Sequence, residues 1–177
     1  MFHKFHPIFT MQARRIKCNF KYLDKLVPII WQIILTNEGS FTLTLDSLTY
    51  TKTRIKMSQK KYEISSHITR SIRCVWLENT IYTKLTFARS LWLLTYKDLQ
   101  CIEKYNYQPI GQSFIESKTD IYKQIHEIYY GHCQYLEKYF KTDKPIWGRK
   151  YTLYYKNISY TTIQEFFSPN LINFFYT

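Results

Sequence analysis

Glycine and proline are scarce in this sequence, and several familiar functional motifs are missing. The 177 residues include four glycines and five prolines, too few for a long flexible linker or a low-complexity tail. No Gly-rich phosphate-binding loop and no G-x-S-x-G nucleophile motif occurs. Phosphate binding by such a loop and serine-hydrolase chemistry are therefore not indicated.

The sequence also lacks a long hydrophobic run. The longest run, Leu26–Leu35, contains Pro28 and Gln32 and is far shorter than the ~20 residues that span a bilayer. The N-terminus has basic residues but neither an apolar signal core nor a small-residue cleavage site. We expect a soluble protein without a membrane span, which works in the compartment where it is made.

Cysteine and histidine show no metal-binding pattern. The four cysteines, which form no C-x-x-C pair, are Cys18, Cys74, Cys101 and Cys133. His126-Glu127 begins like a helical zinc motif, but Tyr130 stands where the second histidine is needed. We therefore expect no metal site, and free thiols in a reducing compartment.

Acidic residues are outnumbered, and the formal net charge is +12. Clustered Lys and Arg would indicate a nucleic-acid surface, but here they are scattered, and the longest basic run is Arg14–Lys17. A positive field attracts a small dianion as well as it attracts RNA. Charge indicates a solvated basic surface and does not choose between these ligands.

Hydrophobic residues are plentiful enough for a folded domain. They make up 45% of the chain and charged residues 21%, so burial can offset the entropy of ordering. The length fits one domain over residues 1–177. The abundance of Ile, Lys, Tyr, Phe and Thr is the bias that AT-rich codons produce, as in many organelle genomes.

Hydrophobic periodicity predicts a mixture of helices and hairpins. The predicted helices are Phe20–Leu35, Thr95–Tyr105 and a long amphipathic one over Ile121–Tyr139. Ser40–Leu45 fits either a strand or a helix capped by Ser40, and the predicted strands are Thr51–Met57, Arg70–Glu78, Ile81–Leu94, Ile146–Lys156 and Ile158–Phe167. The fold class that follows is α+β, an antiparallel sheet covered by helices on one face.

Three charged residues stand alone in apolar, strand-like segments: Arg73, Arg149 and Glu165. A charged side chain in such a segment either faces solvent or is buried and paired. The solvent-facing arrangement is the commoner one, and by that rule it is expected for each of the three.

Six short motifs resemble, in order and spacing, those of the chorismate lyase-like family. The resemblance covers about residues 30–177, with the plastid-encoded branch as the most similar. The motifs are Gly39-Ser40-Phe41-Thr42, Arg73-Cys74-Val75-Trp76-Leu77, Phe87-Ala88-Arg89-Ser90, Pro109-Ile110-Gly111, Trp147-Gly148-Arg149 and Glu165-Phe166-Phe167-Ser168-Pro169.

The resemblance implies a fold, a reaction and a set of site residues. It implies an antiparallel sheet with an internal ligand cavity, and cofactor-free removal of pyruvate from chorismate to leave 4-hydroxybenzoate. Arg73 would bind the ring carboxylate through its planar guanidinium, helped by the backbone N–H near Ile110. Glu165 would face the ether and hydroxyl end of the ring.

Glu165 is the candidate catalytic residue. If Ile163 and Phe167 form an apolar wall beside it on the strand, burial would raise its pKa and suit it to protonate the departing enolpyruvyl oxygen. Arg149 has two alternative roles: binding the second carboxylate, or forming an ion pair that orients Glu165. The role of Arg89 stays open.

Three functions remain as alternatives. The first is a chorismate pyruvate-lyase in the plastid stroma, acting on an aromatic or enolpyruvyl carboxylate without a cofactor. The second is a binding module that holds an aromatic carboxylate and has lost catalysis. The third, a basic RNA-associated protein that stacks bases on its 17 tyrosines, is disfavoured because those tyrosines fall on helix and strand faces typical of core.

Overall fold

A seven-stranded antiparallel sheet forms the body of the protein. A computed structural model describes residues 4–12, 26–65, 68–79, 83–95, 121–155 and 158–176. The strands are β1 (His6–Gln12), β2 (Arg54–Ser65), β3 (Ile68–Glu78), β4 (Lys84–Thr95), β5 (Ile121–His132), β6 (Ile146–Tyr155) and β7 (Ile158–Phe167). Their order across the sheet is β1-β5-β6-β7-β4-β3-β2.

Short helices accompany the sheet. They are α1 (Ile29–Thr36), α2 (Phe41–Thr49), α3 (Gln134–Phe140) and a 3₁₀ segment over Pro169–Phe175. Pro28 is the residue before the first turn of α1, where its fixed φ and missing N–H do no harm. The predicted helix over Phe20–Leu35 is therefore wrong at Pro28, and its residues 20–25 lie outside the described part.

The first two helices cover one face of the sheet, which we call the inner face because it carries Glu165. Ring contacts join them to the strands: Trp31 to Trp147 at 6.2 Å between centroids, and Phe41 to Phe167 at 4.8 Å. The side chain of Leu35 is wholly buried in this layer, and burying a leucine contributes ~1.5–3 kcal/mol. This apolar layer anchors both helices above the strands.

The third helix lies against the opposite, outer face. Trp76, whose side chain points away from Glu165, contacts the rings of Tyr135, Tyr139 and Phe140 at 6.3, 5.1 and 5.7 Å between centroids. The prediction that helices cover one face is therefore wrong: α1 and α2 cover the inner face and α3 covers part of the outer one. The α+β class and the antiparallel sheet are confirmed, while the internal cavity stays a prediction.

The long helix predicted over Ile121–Tyr139 is wrong. Residues Ile121–His132 form β5, and only the following α3 is helical. A β-bulge at His126 shifts the register between Ile125 and Glu127, so the inward apolar side chains change phase there. Inward positions 121, 125 and 128 then have spacings of four and three residues, which imitate helical periodicity.

Both predicted hairpins are confirmed. β3 pairs with β4, and β6 with β7, over nearly the predicted ranges. Ser40 stands at the start of α2, but its side chain makes no capping hydrogen bond. The predicted helix over Thr95–Tyr105 lies outside the described residues except for Thr95, the last residue of β4. In the described ranges, no helix has the length and apolar character needed to cross a membrane.

Candidate functional site

Arg149 and Glu165 face each other at the centre of the inner face. They are direct partners on β6 and β7, so their side chains leave the sheet on the same side. The Arg149 Nε donates a hydrogen bond to Glu165 Oε2 at 2.7 Å, and Nη2 lies 2.7 Å from the same oxygen. Arg149 is fully buried and Glu165 is 7% exposed, so the pair is a buried one.

The other end of the Arg149 guanidinium holds the end of α1. Its Nη1 donates to the backbone oxygens of Ile34, Leu35 and Asn37 at 3.0, 3.2 and 2.9 Å. Carbonyls in the last turn of a helix lack intrahelical donors and carry partial negative charge. Since α1 has no basic residue in its own last turn, Arg149 supplies that cation from the sheet.

Tyr151 completes the support of Glu165. It lies two residues after Arg149 on the same face, and its hydroxyl donates to Glu165 Oε1 at 2.8 Å. The guanidinium carbon of Arg149 lies 5.8, 5.3 and 5.5 Å from the ring centroids of Phe41, Tyr151 and Phe167. These rings fix the plane of the guanidinium, and through it the orientation of the carboxylate.

The pKa of Glu165 is lowered, not raised as the sequence led us to expect. Burial acts to raise it, but the charges of Arg149 and Lys123 and the hydrogen bonds from Tyr151 and Arg149 outweigh burial. Burial and the neighbouring carboxylate raise the pKa of Tyr151 well above its ordinary value, so its hydroxyl remains a donor. Glu165 is therefore an oriented, ionised carboxylate.

Lys123 on β5 is a second cation near this pair. Its Nζ donates to the backbone oxygens of Asn37 and Gly39 at 3.3 and 3.0 Å and lies 4.8 Å from the Tyr151 ring centroid. Burial, followed by the charge of Arg149, lowers the pKa of Lys123 to about 8. The loop between α1 and α2 is thus attached to the sheet by both cations, which share the oxygen of Asn37.

Arg73 lies on the same face, in the row that runs across the sheet next to Glu165. Strand pairing gives that row as Ile125, Tyr151, Ile163, Ser90, Arg73 and Gln59. Arg73 is 5% exposed, burial lowers its pKa, and its Nε contacts the sulfur of Met57. Buried Ser90 and Ile163 separate it from Tyr151. Arg73, Glu165 and Tyr151 therefore border one stretch of sheet.

The expectation that the three isolated charges face solvent is wrong. Arg73, Arg149 and Glu165 are all buried, since each points to the covered face. Ile163 and Phe167 share that face with Glu165 and are buried too, as predicted, but the ion pair overrides their effect on its pKa. Arg149 forms an ion pair with Glu165, which is the second of the two roles predicted for it; the first was binding the second carboxylate of the substrate.

Two other candidates lie elsewhere. Arg89 pairs with Cys74 and Gln164 across the strands, which puts it on the outer face, away from Glu165. Ile110 lies outside the described residues, so its part in carboxylate binding stays a prediction. Within the described ranges no group of three or more His, Cys, Asp or Glu side chains is arranged to hold a metal ion.

Sequence reasoning missed Tyr151 and Lys123. Tyr151 carried a usable signal, because a residue two positions from Arg149 on a strand shares its face. Asn157, the residue between the two predicted strands of the second hairpin, also lies midway between Arg149 and Glu165, so a symmetric hairpin with its turn there would have paired them. Lys123 could not be found while its strand was taken for a helix.

The antiparallel sheet and the buried carboxylate–guanidinium pair define an α+β protein with an enclosed polar centre. The chain belongs to the family described as "Chorismate pyruvate-lyase Rv2949c-like", whose model matches residues 35–175. It is 42% identical over 170 residues to "Uncharacterized protein ycf21" of Antithamnion sp., covering 96% of this chain and 93% of that protein.

Further relatives carry the same name. The ycf21 protein of Porphyra purpurea is 39% identical over 176 residues, with 96% of this chain and 98% of that protein covered. The one of Cyanophora paradoxa is 28% identical over 155 residues, with 81% and 79% covered. The red-algal relatives are plastid-encoded, as the resemblance to the plastid branch led us to expect.

Proposed function

We propose that this protein is a chorismate pyruvate-lyase, which eliminates pyruvate from chorismate to give 4-hydroxybenzoate without a cofactor. The observation that carries the proposal is the ionised Glu165, oriented by Arg149 and Tyr151 on the same buried face as Arg73. Membership of the family supports it. We further propose that the protein acts in the plastid stroma, because its red-algal relatives are plastid-encoded.

Arg73 binds the ring carboxylate in this proposal. A guanidinium presents paired donors to a carboxylate, and a charge-assisted contact of this kind contributes about 1.5–3 kcal/mol. By strand spacing, the Cα of Arg73 lies about 12 Å from that of Glu165 (two strands across and two residues along). Ser90 and Ile163 occupy the positions between Arg73 and Glu165 on this face, and the proposal places the six-membered ring over them.

Glu165 acts first as a base and then as an acid. Because its pKa is lowered, Glu165 starts in the ionised form, the form that a base requires, and it removes the hydrogen from the ring carbon that carries the hydroxyl. The electrons of that C–H bond form the last ring double bond, and the adjacent C–O bond breaks to release enolpyruvate. Glu165 returns the proton to enolpyruvate, which becomes pyruvate; all atoms and electrons balance, and aromatisation drives the step.

The test follows pyruvate and 4-hydroxybenzoate together after chorismate is added to the purified protein. We expect equimolar products, and Glu165→Gln should lower kcat about 10²–10⁴-fold while circular dichroism stays unchanged. Arg73→Ala should weaken the binding of 4-hydroxybenzoate. Full activity of Glu165→Gln would rule out the catalytic role.

The pH profile of kcat distinguishes the proposed role of Glu165 as the initial base from the role expected from the sequence, in which it starts as the acid. An initially ionised Glu165 keeps kcat constant through neutral pH and loses it only in acid, below the ordinary carboxyl pKa of 4.5. An initially protonated Glu165 would instead lose activity as the pH rises. If 4-hydroxybenzoate binds but chorismate is not consumed, the protein is a binding module for aromatic carboxylates.

A further inference from the structure

The substrate of the proposed reaction carries two carboxylates, and the described residues account for only one of them. Arg73 is assigned to the ring carboxylate. Arg149 was the sequence candidate for the second, but its Nε and Nη2 contact Glu165 and its Nη1 donates to the end of α1. Since Arg149 is also wholly buried, it is poorly disposed to bind a ligand.

Lys123, which is half-buried, is the remaining cation beside Glu165 in the described part of the inner face. Its ammonium group has three N–H donors, and two of them are directed to Asn37 and Gly39. Those two contacts hold the flexible side chain in one position. No described residue accepts a hydrogen bond from the third donor, and we assign it to a ligand.

The positions of Lys123 and Arg73 suit an elongated dianion. Arg73 and Tyr151 stand in one row, separated by Ser90 and Ile163, which makes three strand spacings or about 14 Å between Cα atoms. The ammonium of Lys123 lies over the Tyr151 ring at 4.8 Å. The two cations therefore stand at opposite ends of a short stretch of sheet, with Glu165 beside it.

We propose that Lys123 binds the second carboxylate of the substrate, the one on the enolpyruvyl group, and so selects dicarboxylates over monocarboxylates. This inference rests on the proposed function for the identity of the substrate. Lys123 is a binding residue in this scheme, and Glu165 remains the residue that moves the proton. The product 4-hydroxybenzoate lacks the second carboxylate and makes no contact with Lys123.

The proposal has a pH signature. The charged and titratable groups around Lys123 are Arg149 and Tyr151 on β6, Glu165 on β7 and Glu38 in the α1–α2 loop, and together with burial they leave the pKa of Lys123 at about 8. Lys123 loses its charge as the pH rises through that value. The affinity for the dicarboxylate then falls, whereas the affinity for 4-hydroxybenzoate is unaffected by this group.

The experiment compares two ligands on Lys123→Met: the KM for chorismate and the Kd for 4-hydroxybenzoate, read by tryptophan fluorescence. We expect the first to rise about 10–100-fold, the value of a charge-assisted hydrogen bond, and the second to change less than twofold. Lys150→Met is the matched control, because Lys150 stands on β6 facing the outer side with an ion pair to Glu127 at 3.7 Å. It should change neither value.

Other outcomes overturn the proposal. If Lys123→Met weakens the binding of both ligands equally, Lys123 only holds the α1–α2 loop in place. If the KM for chorismate does not rise, Lys123 does not bind the substrate. If the protein does not consume chorismate, the lyase proposal fails, and the Kd for chorismate is measured in place of KM. The binding role of Lys123 is then still tested independently of the lyase activity. If Lys123→Met does not fold, the wild-type pH dependence of the two affinities decides, and parallel curves would refute the proposal.

Discussion

Two glutamates are buried in the same sheet with very different partners. Glu165, at the centre of the inner face, accepts hydrogen bonds at both oxygens from Arg149 and Tyr151. Glu78, at the end of β3, lies 3.2 Å from the Nζ of Lys56 and 3.8 Å from that of Lys84. Neither oxygen of Glu78 accepts a hydrogen bond from the described residues.

The difference shows that neutralising a charge and orienting it are separate tasks. A lysine is a point charge on a flexible stem, and the side chain of Lys56 is 57% exposed, so Glu78 is balanced without being fixed in one direction. A guanidinium is planar and rigid, and aromatic rings enclose that of Arg149. Only Glu165 has the fixed geometry that proton transfer at a defined atom requires.

Among the substitutions that test this contrast between Glu165 and Glu78, removing Arg149 should lower the stability of the protein the most. Arg149→Met removes the ion-pair partner of the buried Glu165 and the donor to the Ile34 and Leu35 carbonyls, so we expect a loss of about 3–5 kcal/mol in the free energy of unfolding. Urea unfolding followed by circular dichroism measures it. Lys150→Met, one residue away on the outer face, should change that free energy by less than about 1 kcal/mol.

A double variant shows whether the stability lost in Arg149→Met comes from the unpaired charge of the buried Glu165. Arg149→Met combined with Glu165→Leu removes both charges and leaves apolar side chains of similar volume, so part of the stability should return. If the double variant is no more stable than Arg149→Met, the contacts of Arg149 with α1 would account for the loss instead.

Tyr151→Phe should have an intermediate effect. It removes one hydrogen bond to Glu165, a charge-assisted bond of about 1.5–3 kcal/mol, and it raises the pKa of Glu165 because that bond helps to lower it. A lowered folded-state pKa stabilises the protein above the unfolded-state pKa, and this stability is lost as the pH falls through the folded-state value. Wild type should therefore exceed Tyr151→Phe in unfolding free energy at neutral pH, with the gap narrowing in acid.

The acid limb of the kcat profile gives a second measurement on Tyr151→Phe. It should move to higher pH along with the pKa of Glu165. If Tyr151→Phe has the same acid limb as wild type and the same free energy of unfolding at every pH, the Tyr151 hydroxyl does not support the Glu165 carboxylate.

Local signals in the sequence predicted much of the fold. The β3–β4 and β6–β7 hairpins were predicted because β-branched and aromatic runs flank polar turn residues, and both signals are local. β5 was missed because the bulge at His126 gave its apolar residues helical spacing. Gly131 fits the strand assignment, because a Cβ there would lie 2.3 Å from the backbone oxygen of His6 on the neighbouring β1.

The site was predicted less well, because its properties arise between strands. Motif resemblance singled out Arg73, Arg149 and Glu165, but the burial of each depends on which face the helices cover. The pKa of Glu165 depends on three residues of other strands, Arg149, Tyr151 and Lys123. An apolar neighbourhood on its own strand was therefore a misleading guide to its protonation.

The smallest change in stability is expected at Glu78. Lys56→Met removes one of the two lysines near the buried Glu78. Because the Lys56 side chain is 57% exposed and so remains solvated, its ion pair contributes about 0–1 kcal/mol, and the free energy of unfolding measured in urea should fall by no more than that. Lys84, which also lies 4.5 Å from the Tyr139 ring centroid, remains to balance the carboxylate, and the lyase activity should not change. A loss as large as that of Arg149→Met would mean that Glu78 depends on a fixed partner after all, and the contrast between the two glutamates would disappear.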